Sequence, residues 1–335
     1  MLRLALPAGA VRDAIPTSAE LMESEPRMLP AYISHSDCVR HEMGEHHPEC
    51  PERIGAISDH LLIKGLLDYM RPYDAPLASE EQLARAHSLS YVREIANMAP
   101  GEGYAQVDPD TWMNSYTYLA ALRAAGAAVL ATDLVVQRKA TVAFCNVRPP
   151  GHHAERNAAG GFCFFNNVAV GIRHALDVHG LERVALVDFD VHHGNGSEDI
   201  LYDDVRVLMC STFEKNLYPY RGSVPRGPNM INVGLAPHSG GEAFRAGVTE
   251  HWLPALDMFR PQMIFISAGF DGHREDDMGN LGLVEADYEW VTRQIMQVAQ
   301  RHAQGRVVSC LEGGYVMSPL ARSVAAHVKV LIGAD

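Results

Sequence analysis

Six cysteines in 335 residues, Cys38, Cys50, Cys145, Cys163, Cys210 and Cys310, never fall at C-x-x-C spacing. Neither a disulfide framework nor a cysteine-type zinc knuckle is therefore encoded, and reduced, mostly buried thiols in a cytoplasmic protein are expected. No run of about 18 apolar residues occurs, so no membrane span is expected. Basic charge is scarce: 28 Lys and Arg face 41 Asp and Glu, and the net charge of −13 argues against nucleic acid as a partner. Also missing are a G-x-S-x-G nucleophile elbow, a P-loop, a dinucleotide fingerprint, internal repeats and low-complexity linkers. The opening MLRLALPAGAVRDAIP is broken by Pro7 and Pro16, and residues 1–30 read as a loose N-terminal arm. Residues 31–335, in a chain that is 47% hydrophobic, read as one domain with a large core, and a homo-oligomer is left open.

Seven apolar, strand-like runs are present, near residues 31–35, 140–147, 184–190, 205–211, 230–235, 262–267 and 306–311. Helices are expected in the intervals: over 53–70 from helical periodicity, over 117–136 from alanine richness and the lack of proline, over 166–179 up to Gly180, and over 197–202, 242–259, 284–302 and up to about 332. Ser79-Glu80-Glu81-Gln82 reads as a capping box. This alternation predicts a single α/β domain with a mostly parallel sheet flanked by helices. The loop with His41, His46 and His47 reads as ordered with exposed imidazoles, and residues 101–110, with Asp108 and Asp110 around Pro109, read as a loop of turn residues.

The chemistry gathers where strands end. The run VALVDFDVHHGNG passes from buried strand into Asp188, Asp190, His192 and His193. Side chains alternate along a strand, so Asp188, Asp190 and His192 share one side. Buried carboxylates are costly unless neutralised, and a divalent metal would do it. His152 and His153 follow another strand, as do Asp271 and Tyr315, and ligands of open α/β sheets bind at such carboxyl ends. A catalytic zinc takes three protein ligands and keeps a position open, which Asp190, His192 and Asp271 would satisfy. The His152/His153 pair would supply general acid and base, Asp188 would orient an imidazole, and Tyr315 would donate to a developing oxyanion. Together these predict metal-assisted hydrolysis of an amide or similar carbonyl bond.

The blocks RPPGHHAERNAAGGFCFFNN, DFDVHHGNG, SAGFDG and LEGGY, in that order, resemble the histone deacetylase superfamily, which includes acetylpolyamine amidohydrolases and acetoin-utilisation proteins. The resemblance runs from about residue 31 to 332. It implies the arginase/deacetylase fold with an eight-stranded sheet, one strand more than the periodicity marks. It implies one zinc ion on Asp190, His192 and Asp271, with His153 as general base and acid and His152 assisting beside Asp188. Asn195 stands where class I members have an aspartate, as in class II-like members, and would orient His153 without charge. Tyr315 matches the oxyanion-stabilising tyrosine. Phe162 and Tyr218 match the walls of an acyl-lysine tunnel, with Gly161 and Gly314 along it and Asp108 near a substrate-holding aspartate. A potassium ion is implied at Asp188, Asp190, His192 and Ser211, and Arg53 matches an arginine beside an internal acetate channel. Met278 aligns with the acidic gatekeeper of polyamine deacetylases, and an apolar residue there leans toward acetylated lysine in a protein or peptide. An acetylated polyamine, or another small acetylated amine, is the alternative substrate. A binuclear arginase-like centre is disfavoured because only one ligand set is present, and a non-catalytic family member because no catalytic residue is lost.

Overall fold

The runs that read as doubly buried strands become the middle of one sheet. The structure, a computed structural model, describes residues 28–334, so most of the expected N-terminal arm, residues 1–27, lies outside the described residues. In chain order the strands are β1 (Ala31–Ser34), β2 (Arg71–Asp74), β3 (Ala105–Asp108), β4 (Thr111–Met113), β5 (Val142–Cys145), β6 (Val184–Asp188), β7 (Val207–Glu214), β8 (Met230–Leu235), β9 (Met263–Ala268) and β10 (Val307–Leu311). Eight form a sheet of order β2-β1-β5-β10-β9-β6-β7-β8. Every pairing in it is parallel. Every residue of β5, β6, β7, β9 and β10 is buried, which is why these strands are mostly apolar rather than alternating, with polar residues such as Asp188 and Glu214 falling toward their carboxyl ends.

Helices cover both faces. On one side lie Leu89–Met98, Thr117–Val136 and Asn167–Asp177; on the other lie Glu52–Ile63, Glu285–His302 and Met317–Leu331. Thr117–Val136 is long and apolar enough by length and composition to cross a bilayer, yet 72% of its most apolar stretch is buried inside the fold. Its alanines and Gly126 allow a close approach: a Cβ at Gly126 would stand 2.0 Å from the carbonyl oxygen of Pro76.

The eight-stranded sheet implied by the resemblance is present, and four finer readings of the sequence are corrected. The eighth strand, β2, has the sequence RPYD and is almost wholly exposed, so it carries no apolar signal; as an edge strand it tolerates Pro72. The helix expected over 53–70 ends at Ile63, because Gly65 adopts φ +66° and a short 3-10 turn, Leu67–Tyr69, leads into β2. Residues 101–110 are not all loop: β3 and β4 pair as an antiparallel ribbon across the Pro109–Asp110 turn. The helix expected over 242–259 contains a π-turn, Val248–Trp252, just before Pro254, whose ring cannot accept the regular hydrogen-bond pattern of the preceding turn. The capping box is present, with Ser79 and Gln82 exchanging hydrogen bonds. All six cysteines are free, and all but Cys50 are buried.

His87 fastens the loop that follows β5. Its Nδ1 donates to the Glu155 carbonyl (2.9 Å) and its Nε2 accepts from the Asn166 amide (2.9 Å). Burial lowers its pKa to about 4 from an ordinary 6.5, so it is neutral in the fold. Between those values the unfolded chain binds the extra proton, so the stabilisation is complete above about pH 6.5 and is lost as pH falls toward 4. The difference in unfolding free energy between wild type and His87→Gln should therefore shrink by on the order of 3 kcal/mol between pH 7 and 4. Denaturant titrations of both proteins across that range measure it, and a pH-independent difference would refute a neutral His87.

Candidate active site

The side chains singled out at strand ends meet because β5, β10, β9 and β6 are neighbours in the sheet. Asp190 Oδ1 lies 3.0 Å and Asp271 Oδ2 3.2 Å from His192 Nδ1. All three residues are buried, and their ligand atoms lie within 4.8 Å of one another. Backbone amides aim the carboxylates: Asp190 Oδ2 accepts from Gly313 N (2.8 Å) and Asp271 Oδ1 from Val191 N (2.9 Å). Among the described residues Asp271 Oδ2 receives no hydrogen bond, His192 Nδ1 being bonded to Asp190 Oδ1 instead. A Cβ at Gly313 would fall 1.9 Å from that oxygen and 2.6 Å from Asp190 Oδ2, so absence of a side chain keeps the centre open. Burial, reinforced by the Asp190 charge, raises the Asp271 carboxyl to about 7. Two carboxylates, one imidazole and an orphaned inward oxygen fit a divalent cation.

The adjacent histidines stand with ring centroids 4.0 Å apart. His152 Nδ1 lies 3.0 Å from Asp188 Oδ2, and His153 Nδ1 lies 2.7 Å from Asn195 Oδ1. Burial works against charge on both. At His152 the carboxylates of Asp190 and Asp188 outweigh it and hold the pKa well above the ordinary value. At His153 burial is reinforced by His152 and His192, and the pKa falls well below it. Neighbouring groups pushed in opposite directions are suited to different tasks in proton transfer.

Tyr315 packs its ring edge-on to Phe162, at 5.7 Å between centroids. Burial, then the Asp271 charge, pushes its phenol pKa well up, so it stays a donor. Tyr218 stands edge-on to His153 at 5.0 Å, and Gly161 separates them: a Cβ there would come within 2.5 Å of His153 and 2.9 Å of Tyr218. Gly161 and Phe162 adopt φ +55° and +70°. The Tyr218 hydroxyl and the Asp108 carboxylate both border Gly160. A Cβ at Gly314 would meet Leu320 and Phe270, so this glycine faces the core. Met278 is partly buried against the core. Ser211 pairs with Asp188 in the β6–β7 register, and its buried hydroxyl has no hydrogen-bond partner among the described residues.

The histidine loop corrects the expectation of exposed imidazoles. His46 is exposed, but His41 is fully buried, 3.3 Å from Glu49, and His47 stands edge-on to Phe162 at 4.7 Å. Around Arg53, which the resemblance singles out, stand supporting residues to which the sequence assigns no role. Arg148 donates through two nitrogens to the fully buried Glu49, which also accepts from Arg53 (3.0 Å). Arg53 in turn holds the carbonyls of Glu312 and Gly314, with its guanidinium 4.9 Å from the Tyr315 ring centroid. Glu312 accepts from the amides of Gly151 (2.7 Å) and His152 (3.1 Å). Asp276 accepts from the amides of Tyr315 (2.6 Å), Val316 (3.0 Å) and Met278 (3.1 Å). Position is the sign for the others: Arg148 opens RPPGHH, Glu312 lies inside LEGGY and Asp276 just beyond SAGFDG.

A second group, Asp133, His174 and His179, also has ligand atoms close together. Both imidazole Nε2 atoms stand on Asp133 Oδ1, at 2.8 and 2.6 Å, while Arg85 Nη1 lies 3.3 Å from His174 Nδ1. Arginine only donates, so it occupies the Nδ1 lone pair and leaves the proton on Nε2. That makes this group a hydrogen-bonded cluster.

The chain is similar to known proteins over most of its length. The histone deacetylase domain family matches residues 47–331. A probable deacetylase of Archaeoglobus fulgidus is 35% identical over 86% of this chain and 82% of its own length. The human polyamine deacetylase HDAC10 is 35% identical over 90% of this chain but only 48% of its own length. The crystal structure of the HDA15 HD domain superposes with a TM-score of 0.87 at 30% identity, covering 91% of this chain and 88% of that one.

Arg148→Met would strand the Glu49 carboxylate in the interior with its partner removed. Breaking a buried pair on one side costs about 3–5 kcal/mol. Chemical denaturation of the variant should show a loss of that size, and a loss below about 1 kcal/mol would mean that Arg53 and His41 satisfy Glu49 without it.

Proposed function

The chain belongs to the histone deacetylase family, and on that premise we propose that it is a zinc-dependent amidohydrolase that removes acetyl or other acyl groups from acyl-lysine side chains. The observation that carries this reading is the convergence of Asp190, His192 and Asp271 beside a histidine pair pushed toward opposite protonation states. Those three residues would hold zinc, which when bound polarises a carbonyl and acidifies a water. His153 is neutral, and its Nε2 is the free base because Nδ1 faces Asn195; it takes a proton and later returns it to the leaving amine. His152, kept cationic by Asp188 and Asp190, supplies positive charge next to the reacting carbonyl. The Tyr315 phenol donates to the developing oxyanion, and Arg53, Asp276 and Phe162 hold its loop and ring. Phe162, edge-on to Tyr315, and Tyr218, edge-on to His153, would wall an apolar slot suited to the four-methylene stem of lysine. Potassium is proposed at Asp188, Asp190, His192 and Ser211, supported by the orphaned Ser211 hydroxyl.

Acyl-lysine is preferred over acetylpolyamine because Met278 is apolar and both oxygens of neighbouring Asp276 are engaged by backbone amides. An acetylated polyamine is the second reading, favoured by the similarity to the polyamine deacetylase and by the Asp108 carboxylate at the mouth.

Turnover of zinc-loaded protein on an acetyl-lysine peptide, longer acyl-lysines, and acetylated spermidine and putrescine, each with a chelator control, tests the proposal. Chelator-sensitive turnover concentrated on acyl-lysine is expected. A preference for acetylpolyamines would overturn the substrate, and no turnover on any of them would overturn the activity. His153→Ala should lower kcat by about 10²–10⁴-fold, and Tyr315→Phe by about 10²-fold with zinc still bound. Gly313→Ala should abolish zinc binding in a chelator competition while the protein remains folded, because its methyl would occupy the space between the two carboxylates.

A further inference from the structure

An asparagine beside a catalytic histidine is ambiguous in a way that an aspartate is not. An amide presents an acceptor on one side and a donor on the other, and a half-turn exchanges them. With Oδ1 toward His153, the imidazole carries its proton on Nδ1 and keeps Nε2 basic. With the amino group toward His153, Nδ1 must accept, the proton moves to Nε2, and the ring cannot act as a base there.

The geometry points to Glu155 as the residue that removes this ambiguity. Asn195 Oδ1 stands 2.7 Å from His153 Nδ1, and on the far side Asn195 Nδ2 donates to Glu155 Oε1 at 2.8 Å. A carboxylate only accepts, so the amide must turn its amino group to Glu155 and its oxygen to His153. A second donation, Nδ2 to the His153 carbonyl at 3.5 Å, favours the same orientation. Glu155 is itself fixed. Its backbone amide donates to the Ala158 carbonyl (2.8 Å), its carbonyl receives His87 Nδ1 (2.9 Å), and Arg221 Nη1 donates to the same Oε1 (2.7 Å). Arg221 lies on the loop that carries Tyr218, so one carboxylate ties the tunnel wall to the base's tautomer. Glu155 touches no reacting atom; it is a positioning residue. The proposal rests on the reading of His153 as the general base, but the tautomer it predicts exists whether or not the protein is a deacetylase.

The experiment uses ¹⁵N-imidazole-labelled protein, with His153 assigned by difference from His153→Ala, together with steady-state kinetics on the best substrate of the panel. Wild type should show a single Nδ1-protonated His153. Glu155→Met, which has similar length and no acceptor, should show a tautomer mixture and lose roughly tenfold in kcat with KM changed less than about twofold. Glu155→Gln keeps an acceptor oxygen and should keep the single tautomer. Adding Asn195→Asp to Glu155→Met should restore both tautomer and kcat, because a carboxylate at 195 accepts on either face and needs no lock. A merely structural Glu155 would not be rescued from position 195. An unchanged tautomer in folded Glu155→Met, or a kcat loss that Asn195→Asp fails to recover, would overturn the proposal. If wild type turns over nothing, the functional reading fails, while the spectra still decide the lock.

Discussion

Asp190 and Asp271 are carboxylates placed beyond the reach of bulk water at the ends of two adjacent strands, with His192 between them. Burying such groups costs several kcal/mol each unless hydrogen bonds and opposite charge meet them. Much of the surrounding structure answers that requirement. Amides of Gly313 and Val191 take one oxygen of each carboxylate, and His152 brings positive charge toward Asp190. The oxygen left over, Asp271 Oδ2, points into the space that a glycine at 313 leaves open.

A second set of buried charges ties the surrounding loops together. Glu49, Arg148 and Arg53 are all fully buried, and together they join the histidine loop, the turn before His152 and the turn before Tyr315. Asp276 and Glu312 do the same with backbone amides on either side of the centre. These residues position the chemistry by over-determining the loops that carry it, which is how a reactive geometry is held against thermal motion.

The legibility of these parts in the sequence was uneven. Asp190, His192, Asp271, His152, His153 and Tyr315 stood out because charge follows a buried apolar run so abruptly. The helix Thr117–Val136 was legible to its ends, since its alanine richness and lack of proline are local signals. β2 was not, because an exposed edge strand has no apolar pattern to read. His41 and Glu49 looked like ordinary loop residues, and only docking of that loop over Arg148 buries them. Glu155 was similarly silent: it becomes meaningful only when the start of the helix Asn195–Leu201 sets Asn195 between it and His153.

The order of residues alone determined which side chains stand at strand ends and which strands are buried on both faces, because period and polarity act over a few neighbouring residues. Tertiary structure decided which ends meet. β5 and β6 do not touch; β10 and β9, from the far end of the chain, lie between them and bring Asp271 and Tyr315 to His152, His153, Asp190 and His192. It also decided which charged loop residues become buried partners, because the cost of burying a charge, and so its need for a partner, arises only once distant segments exclude water from it.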